Sequence, residues 1–267
     1  MRFLSGGLLL RMKIGMFDSG VGGLTVLKEF LKISPNNEYI YFGDTKRVPY
    51  GGKSKENITL FSIEIIDFLI KQNVDIIIAA CNTVSAVCLN EIKNNYGIKI
   101  IGVIEPTVDY ILKTDYKSIG IIGTKATVQS KVYTKILEKN NINTFNKACP
   151  LFVPVIEENI QTDLIIDSIV DLYLSEFKNI DLNAMVLACT HYPIIEDKIK
   201  KYLHNIDIIN PAYQTAEYAK KYIVSDNHKG NVKFYFTDIT QSVYEITQSI
   251  LGYDASDNIY LCDCGTF

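Results

Sequence analysis

The chain lacks a strong net charge, a close cysteine pair and a long apolar run, and each absence removes a class of function. Its 267 residues carry 27 basic and 30 acidic side chains, a formal net charge of −3. No basic field is available to hold nucleic acid or an anionic membrane surface, so neither is expected as a partner. None of the six cysteines (Cys81, Cys88, Cys149, Cys189, Cys262 and Cys264) forms a C-x-x-C pair. That argues against a structural zinc site and against a dithiol redox motif. Cys262-Asp-Cys264 offers only two metal ligands near the end of the sequence. Free thiols fit a reducing, cytoplasmic setting. No stretch reaches the roughly 18 uninterrupted apolar residues of a membrane span. Residues 3–10 faintly resemble a secretory signal, but the run is short and Arg11 and Lys13 interrupt it. Residues 1–11 therefore read as an extension, with the fold starting near Met12. Nucleotide signatures are also missing. Gly51-Gly52-Lys53-Ser54 ends like a P-loop, but Arg47 stands where the first glycine is required.

What the chain does have is alternation. Hydrophobic residues make up 48% of it, enough for a core without disulfides or metal. Apolar runs at 14–17, 39–42, 75–80, 98–103, 118–122, 143–146, 184–188, 207–209 and 231–235 are expected as strands. Between them, 24–33, 55–72, 85–96, 128–140, 163–176, 194–203 and 242–251 have helical character. Such alternation predicts parallel sheets with helices on both faces. The pattern also restarts. IGMFDSG from Ile14 and IGIIGTKAT from Ile119 are offset by 105 residues. The expected fold is α/β, with two similar doubly wound parallel-sheet domains related by pseudo-two-fold symmetry and the active site between them. The first domain is expected over 12–105 plus 212–267 and the second over 106–211, with crossovers near Pro106 and Pro211.

Ligands of open parallel sheets lie beyond the carboxyl ends of the strands. The sequence puts Asp18, Ser19, Asp44, Cys81, Asn82, Thr83, Thr124, Cys189, Thr190 and His191 just there. Two segments match: IIIAACNTVSA around Cys81 and AMVLACTHYPI around Cys189, their cysteines 108 residues apart. Either cysteine alone reads as a small buried hydrophobe. The matched neighbours favour instead a site with one thiol from each half, suited to an acid and a base on opposite faces of one carbon. Both thiols precede an expected helix start, where the pKa is lowered and a thiolate is accessible. Cys88, inside an expected helix, and Cys149, which has no repeat partner, read as packing. His191 reads as a proton shuttle for Cys189 or as a surface histidine. A carboxylate at Glu157 or Glu158 either pairs with it or is a solvated acid. Asp18 and the Gly-rich turn after it read as an anion cradle, or Asp18 as a helix N-cap.

At these residues the chain resembles the cofactor-independent glutamate racemases of the aspartate/glutamate racemase family. FDSGVGGLTV, YFGDTKRVPYG, AACNTVSA, VIEPTV, IGTKATVQSKVY, CPLFVPVIEE and LACTHYPII stand in family order and span nearly the whole chain from Ile14. The CNT and CTH pair, with DSG 63 residues before the first cysteine, is its most specific part. The resemblance implies reversible interconversion of L- and D-glutamate, a small-molecule substrate, by a homodimer needing no cofactor or metal. D-glutamate is a building block of bacterial peptidoglycan. It implies that Cys81 exchanges the α-proton of the D-isomer and Cys189 that of the L-isomer, one acting as base while the other is acid. Asp18 assists Cys81 on this reading, and Glu157 and His191 assist Cys189. Ser19, Tyr50, Gly51, Asn82, Thr83, Thr124 and Thr190 match positions that hold the substrate's ammonium and carboxylates, with Asp18 and His191 beside them. With no strong signal for a Schiff-base lysine, carbanion charge is left to dry, preorganised hydrogen bonds. Related aspartate racemases typically carry Glu two residues after the second cysteine, so His191 favours glutamate. The rivals are an aspartate or hydantoin racemase, a malonate decarboxylase, or a regulatory protein that contacts gyrase. The extension before Met12 has no counterpart in the family pattern.

Overall fold

The computed structural model describes residues 12–158, 160, 162–224 and 230–262; the expected extension and Cys264 lie outside them. The strands are β1 (Lys13–Asp18), β2 (Glu38–Gly43), β3 (Ile76–Ala79), β4 (Lys99–Gly102), β5 (Ser118–Gly123), β6 (Asn143–Ala148), β7 (Ala184–Ala188), β8 (Asp207–Ile209), β9 (Asn231–Phe236) and β10 (Ile259–Leu261). Among the described residues they form two sheets, ordered β10-β9-β2-β1-β3-β4 and β6-β5-β7-β8. Every strand pair in both is parallel. In each sheet the winding reverses once, between β1 and β3 in the first and between β5 and β7 in the second. A crevice opens beyond the strand ends at such a reversal. The residues following β3 and β7 are the ones that carry Cys81 and Cys189.

The helices are α1 (Leu24–Ile33), α2 (Lys55–Lys71), α3 (Asn82–Val87), α4 (Leu89–Ile92), α5 (Ile104–Ile111), α6 (Lys125–Ser130), α7 (Val132–Lys139), α8 (Phe152–Glu157), α9 (Asp163–Leu174), α10 (Glu196–Tyr202), α11 (Pro211–Ala219) and α12 (Gln241–Leu251). Alternate strand residues serve different cores, as a two-residue side-chain period requires. Ile14, Met16, Ile76 and Ile78 share one cluster with Ile119, Ile121, Ala184 and Val186, so a single core joins the two sheets through α1, α5, α7, α11 and α12. Phe17, Ile77 and Ala79 face the other way, onto Ile58, Ile65 and Leu69 of α2. Ile122, Met185 and Leu187 do likewise against Val170 and Leu174 of α9. Each fully buried isoleucine contributes about 1.5–3 kcal/mol. Burial on both faces explains why these strands read as unbroken apolar runs.

Three expectations change. The helix expected over 85–96 begins at Asn82 and breaks at Cys88, whose dihedrals are φ −137 and ψ −19. Cys88 thus sits at a break, not inside a helix; its thiol lies 3.6 Å from Val84 O and 3.7 Å from Ser62 Oγ. The helix expected over 128–140 is α6 and α7, separated by Lys131 in the left-handed region at φ 54. Pro106 does lie where the chain crosses from the first sheet to the second, between β4 and β5, but within the first turn of α5, where a missing N–H costs nothing. Pro211 likewise opens α11. Neither of those two helices, nor β10, was expected.

Candidate active site

Cys81 and Cys189 line one small cavity at the strand ends of both sheets. The first sheet's loops supply Ser19, Val48, Pro49, Tyr50, Gly51, Asn82 and Thr83; the second sheet's supply Thr124, Val153, Thr190 and His191. Both thiols are buried, at 4% and 5% exposure. Cys81 is the N-cap of α3 in an extended conformation. Cys189 precedes a short 3₁₀ turn, Tyr192–Ile195, with Pro193 near its start.

The surroundings of the two thiols differ. Cys189 Sγ lies 3.8 Å from His191 Nδ1, and His191 Nε2 lies 2.9 Å from Glu157 Oε1. His191 is 2% exposed, so the surface reading of it is wrong. Burial alone would lower its pKa, but the bonds to Cys189 and Glu157 carry it well above the ordinary imidazole range. The Cys81 thiol donates to Ser19 Oγ at 3.7 Å. Burial and the neighbouring Asp18 carboxylate push its pKa up. That runs against the accessible thiolate expected from the helix start at Cys81: desolvation outweighs the short helix's N-terminus.

Asp18 is fully buried beneath the cavity and does not cap α1, whose N-cap is Gly23. Its carboxylate accepts from Gly20 N at 3.1 Å and from Thr190 Oγ1 at 3.2 Å. The turn expected as an anion cradle therefore gives an N–H to its own aspartate. Desolvation raises the Asp18 pKa, against the opposing pull of His191. Ser54 of the rejected P-loop sequence caps α2 through Asn57 N.

Two glycines let the sheets' loops meet. A Cβ on Gly22 would lie 2.5 Å from His191 Nδ1 and 2.6 Å from Thr190 Oγ1; a Cβ on Gly51 would lie 2.5 Å from Thr124 Cβ. Beside Gly51, Thr124 Oγ1 is 2.9 Å from both Thr83 Oγ1 and Thr127 Oγ1, a hydroxyl chain across the junction. Tyr133 OH donates to Asn82 Oδ1 at 3.0 Å. The Tyr50 hydroxyl is bonded to the buried Asp44 carboxylate, which also accepts from Arg47 Nε at 2.6 Å and Thr237 Oγ1 at 2.9 Å. Tyr50 thus offers the cavity its ring and backbone, with its hydroxyl already committed.

Ten of the residues singled out from the sequence line the cavity, and Asp18 and Glu157 stand behind it through Thr190 and His191. Val48, Pro49 and Val153 line it too and were not anticipated; they are apolar wall, with no chemistry to mark them. Among the described residues no group of three or more His, Cys, Asp or Glu side chains is placed to hold a metal. No described helix is long and apolar enough to cross a membrane.

Comparison with known proteins gives a consistent picture. A family model described as Asp/Glu/Hydantoin racemase matches residues 25–219. The glutamate racemase of Hydrogenobaculum sp. (strain Y04AAS1) is 46% identical over 243 residues, covering 90% of this chain and 93% of that protein. That of Aquifex aeolicus (strain VF5) is 41% identical over 249 residues, covering 93% and 97%. Among solved structures, glutamate racemase from Francisella tularensis in complex with D-glutamate superposes with a TM-score of 0.87 at 34% identity, over 96% of this chain and 99% of that one.

Proposed function

The chain belongs to the Asp/Glu/hydantoin racemase family, and from that membership and the paired thiols we propose that it is a glutamate racemase working by two cysteines without a cofactor. The observation that carries this reading is one cavity lined by two buried thiols, each following a strand at the winding reversal of a different sheet. Racemisation needs a proton removed from one face of the α-carbon and returned to the other. Cys81 takes the α-proton of the D-isomer and returns one to form it; Cys189 does so for the L-isomer. Asp18 assists at Cys81, and the His191–Glu157 pair assists at Cys189. Ser19, Gly51, Asn82, Thr83, Thr124 and Thr190, with the backbone of Tyr50, hold the ammonium and carboxylates. The dry, hydrogen-bonded walls stabilise carbanion charge where water would screen it. The product serves peptidoglycan synthesis in the cytoplasm, and the working form is a homodimer.

The glutamate assignment follows the names of the relatives, including a structure that holds D-glutamate. The test is circular dichroism of D-glutamate incubated with the purified chain in deuterated water, with no cofactor added. The signal should decay towards zero while deuterium enters the α-carbon. Activity on aspartate with none on glutamate would overturn the substrate assignment, and activity appearing only with added pyridoxal phosphate would overturn the cofactor-free mechanism.

A further inference from the structure

The segment carrying Cys189 is tied to the opposite sheet at a residue outside the cavity. Thr25, in the first turn of α1, lies with its Oγ1 2.9 Å from the carbonyl oxygen of Thr190. It also lies 2.8 Å from Gly22 O, so its hydroxyl proton is shared between that carbonyl and the one of Thr190 and bridges the two loops. Thr190 is therefore held at both ends by the first sheet's residues. Its side chain donates to Asp18, and its carbonyl accepts from Thr25. Thr190 stands between Cys189 and His191 in sequence. Fixing its peptide fixes the backbone from which the thiol and the imidazole both project. The bond can form because Gly22 presents no Cβ to His191 and Thr190.

Building on the two-thiol reading, we propose that Thr25 is a positioning residue for the Cys189–His191 face of the site. Its hydroxyl holds the thiol at the distance and angle that proton transfer requires. Reactions of this kind are sensitive to misplacement, and about 1 Å can cost roughly a hundredfold in rate. Cys81 has no such dependence, because its strand and helix belong to the same sheet as Thr25. The effect of losing the hydroxyl falls on one of the two proton transfers.

The test compares Thr25→Val, which keeps the shape and removes the hydroxyl, with Thr25→Ser, which keeps the hydroxyl. Racemisation of L- and D-glutamate is followed with and without α-deuterium, alongside thermal melts. Thr25→Val should lower kcat about tenfold, and Thr25→Ser should restore most of it. If the Cys189 step has become limiting, the α-deuterium effect rises for the L-isomer, whose proton Cys189 removes. It falls for the D-isomer, whose deuterium leaves at the unimpaired Cys81. A purely structural role would reduce the active fraction and leave both isotope effects unchanged, and that result overturns the proposal. Should Thr25→Val not fold, the same asymmetry is read from Thr25→Ala. A wild-type chain that exchanges no α-proton of either isomer overturns the two-thiol reading itself. A wild-type chain that racemises, with symmetric isotope effects in the variants, overturns only the role of Thr25.

Discussion

The two thiols occupy equivalent places at their sheets and sit in opposite electrostatic surroundings. Cys189 has an imidazole 3.8 Å away, backed by the Glu157 carboxylate at 2.9 Å, so a proton can be stored beside it on His191. Cys81 has a serine hydroxyl and a buried aspartate, and burial together with that aspartate keeps it a protonated thiol. Strand position alone therefore does not set the chemistry of a cysteine. The difference lies in what each thiol's own sheet brings beside it, a histidine–carboxylate pair at Cys189 and a desolvated acid at Cys81. On one side burial favours the proton on the sulfur; on the other an imidazole whose pKa is raised by its neighbours can carry a proton beside the sulfur. A two-base reaction that runs both ways needs both poises to be reachable.

The bluntest way to break the comparison is to remove each thiol. Cys81→Ser and Cys189→Ser should each slow racemisation by roughly a thousandfold, the scale of a lost general acid or base. Polarimetry on both enantiomers checks it, and a serine variant retaining more than a tenth of the activity would remove that cysteine from the mechanism. A sharper cut leaves the thiols and removes their helpers. Asp18→Asn and His191→Asn should each cost on the order of a hundredfold in kcat. They should do so with mirrored α-deuterium effects, larger on D-glutamate for Asp18→Asn and on L-glutamate for His191→Asn. The same pattern in both variants would mean that the two sides are not separate.

Much of this division was legible in the sequence, for physical reasons. Strands buried on both faces must be apolar throughout, so β3 and β7 announce themselves, and a thiol at the end of each is conspicuous. What was not legible depends on contacts across the chain. The Asp44–Tyr50 bond, the Thr25–Thr190 tether and the seating of Val153 join elements that sequence spacing does not relate. The rise in the Cys81 pKa was invisible for the same reason: a helix start is a local signal, whereas desolvation depends on everything packed around the sulfur. The helices α5 and α11 were missed because Pro106 and Pro211 were read only as crossover points, although proline is well suited to a helix's first turn.

The close approach of the two loops can be tested apart from chemistry. In Gly22→Ala the new methyl would fall within 2.6 Å of the His191 ring and the Thr190 hydroxyl. Either α1 or the Cys189 loop must shift. The expected cost is about 1–3 kcal/mol of stability, as for other overpacked sites. Activity should fall further than the melting temperature alone would imply. Gly52→Ala is the control, since open space surrounds that position; equal behaviour of the two variants would show that the Gly22 contact is not close in solution.

The smallest expected effect concerns the charge on the Cys189 side. The folded-state pKa of His191 is raised above its unfolded value of about 6.5. Such a group binds more protons when folded, so its stabilising contribution is complete below about pH 6.5 and is lost as the pH rises through the folded value. Glu157 is one of the partners that raise it. In Glu157→Gln that contribution shrinks, so the variant should melt below the wild type at pH 6 by on the order of 1 kcal/mol, a figure reduced because the carboxylate is partly exposed. The gap should narrow at pH values well above neutrality, once the imidazole of both proteins is neutral. Melts recorded across pH 6–9 decide the matter. A gap that stays constant over that range would mean that His191 neither gains nor loses a proton between pH 6 and 9, so that it exchanges no proton beside Cys189 at those pH values, and the asymmetry between the two thiols would then rest on Asp18 alone.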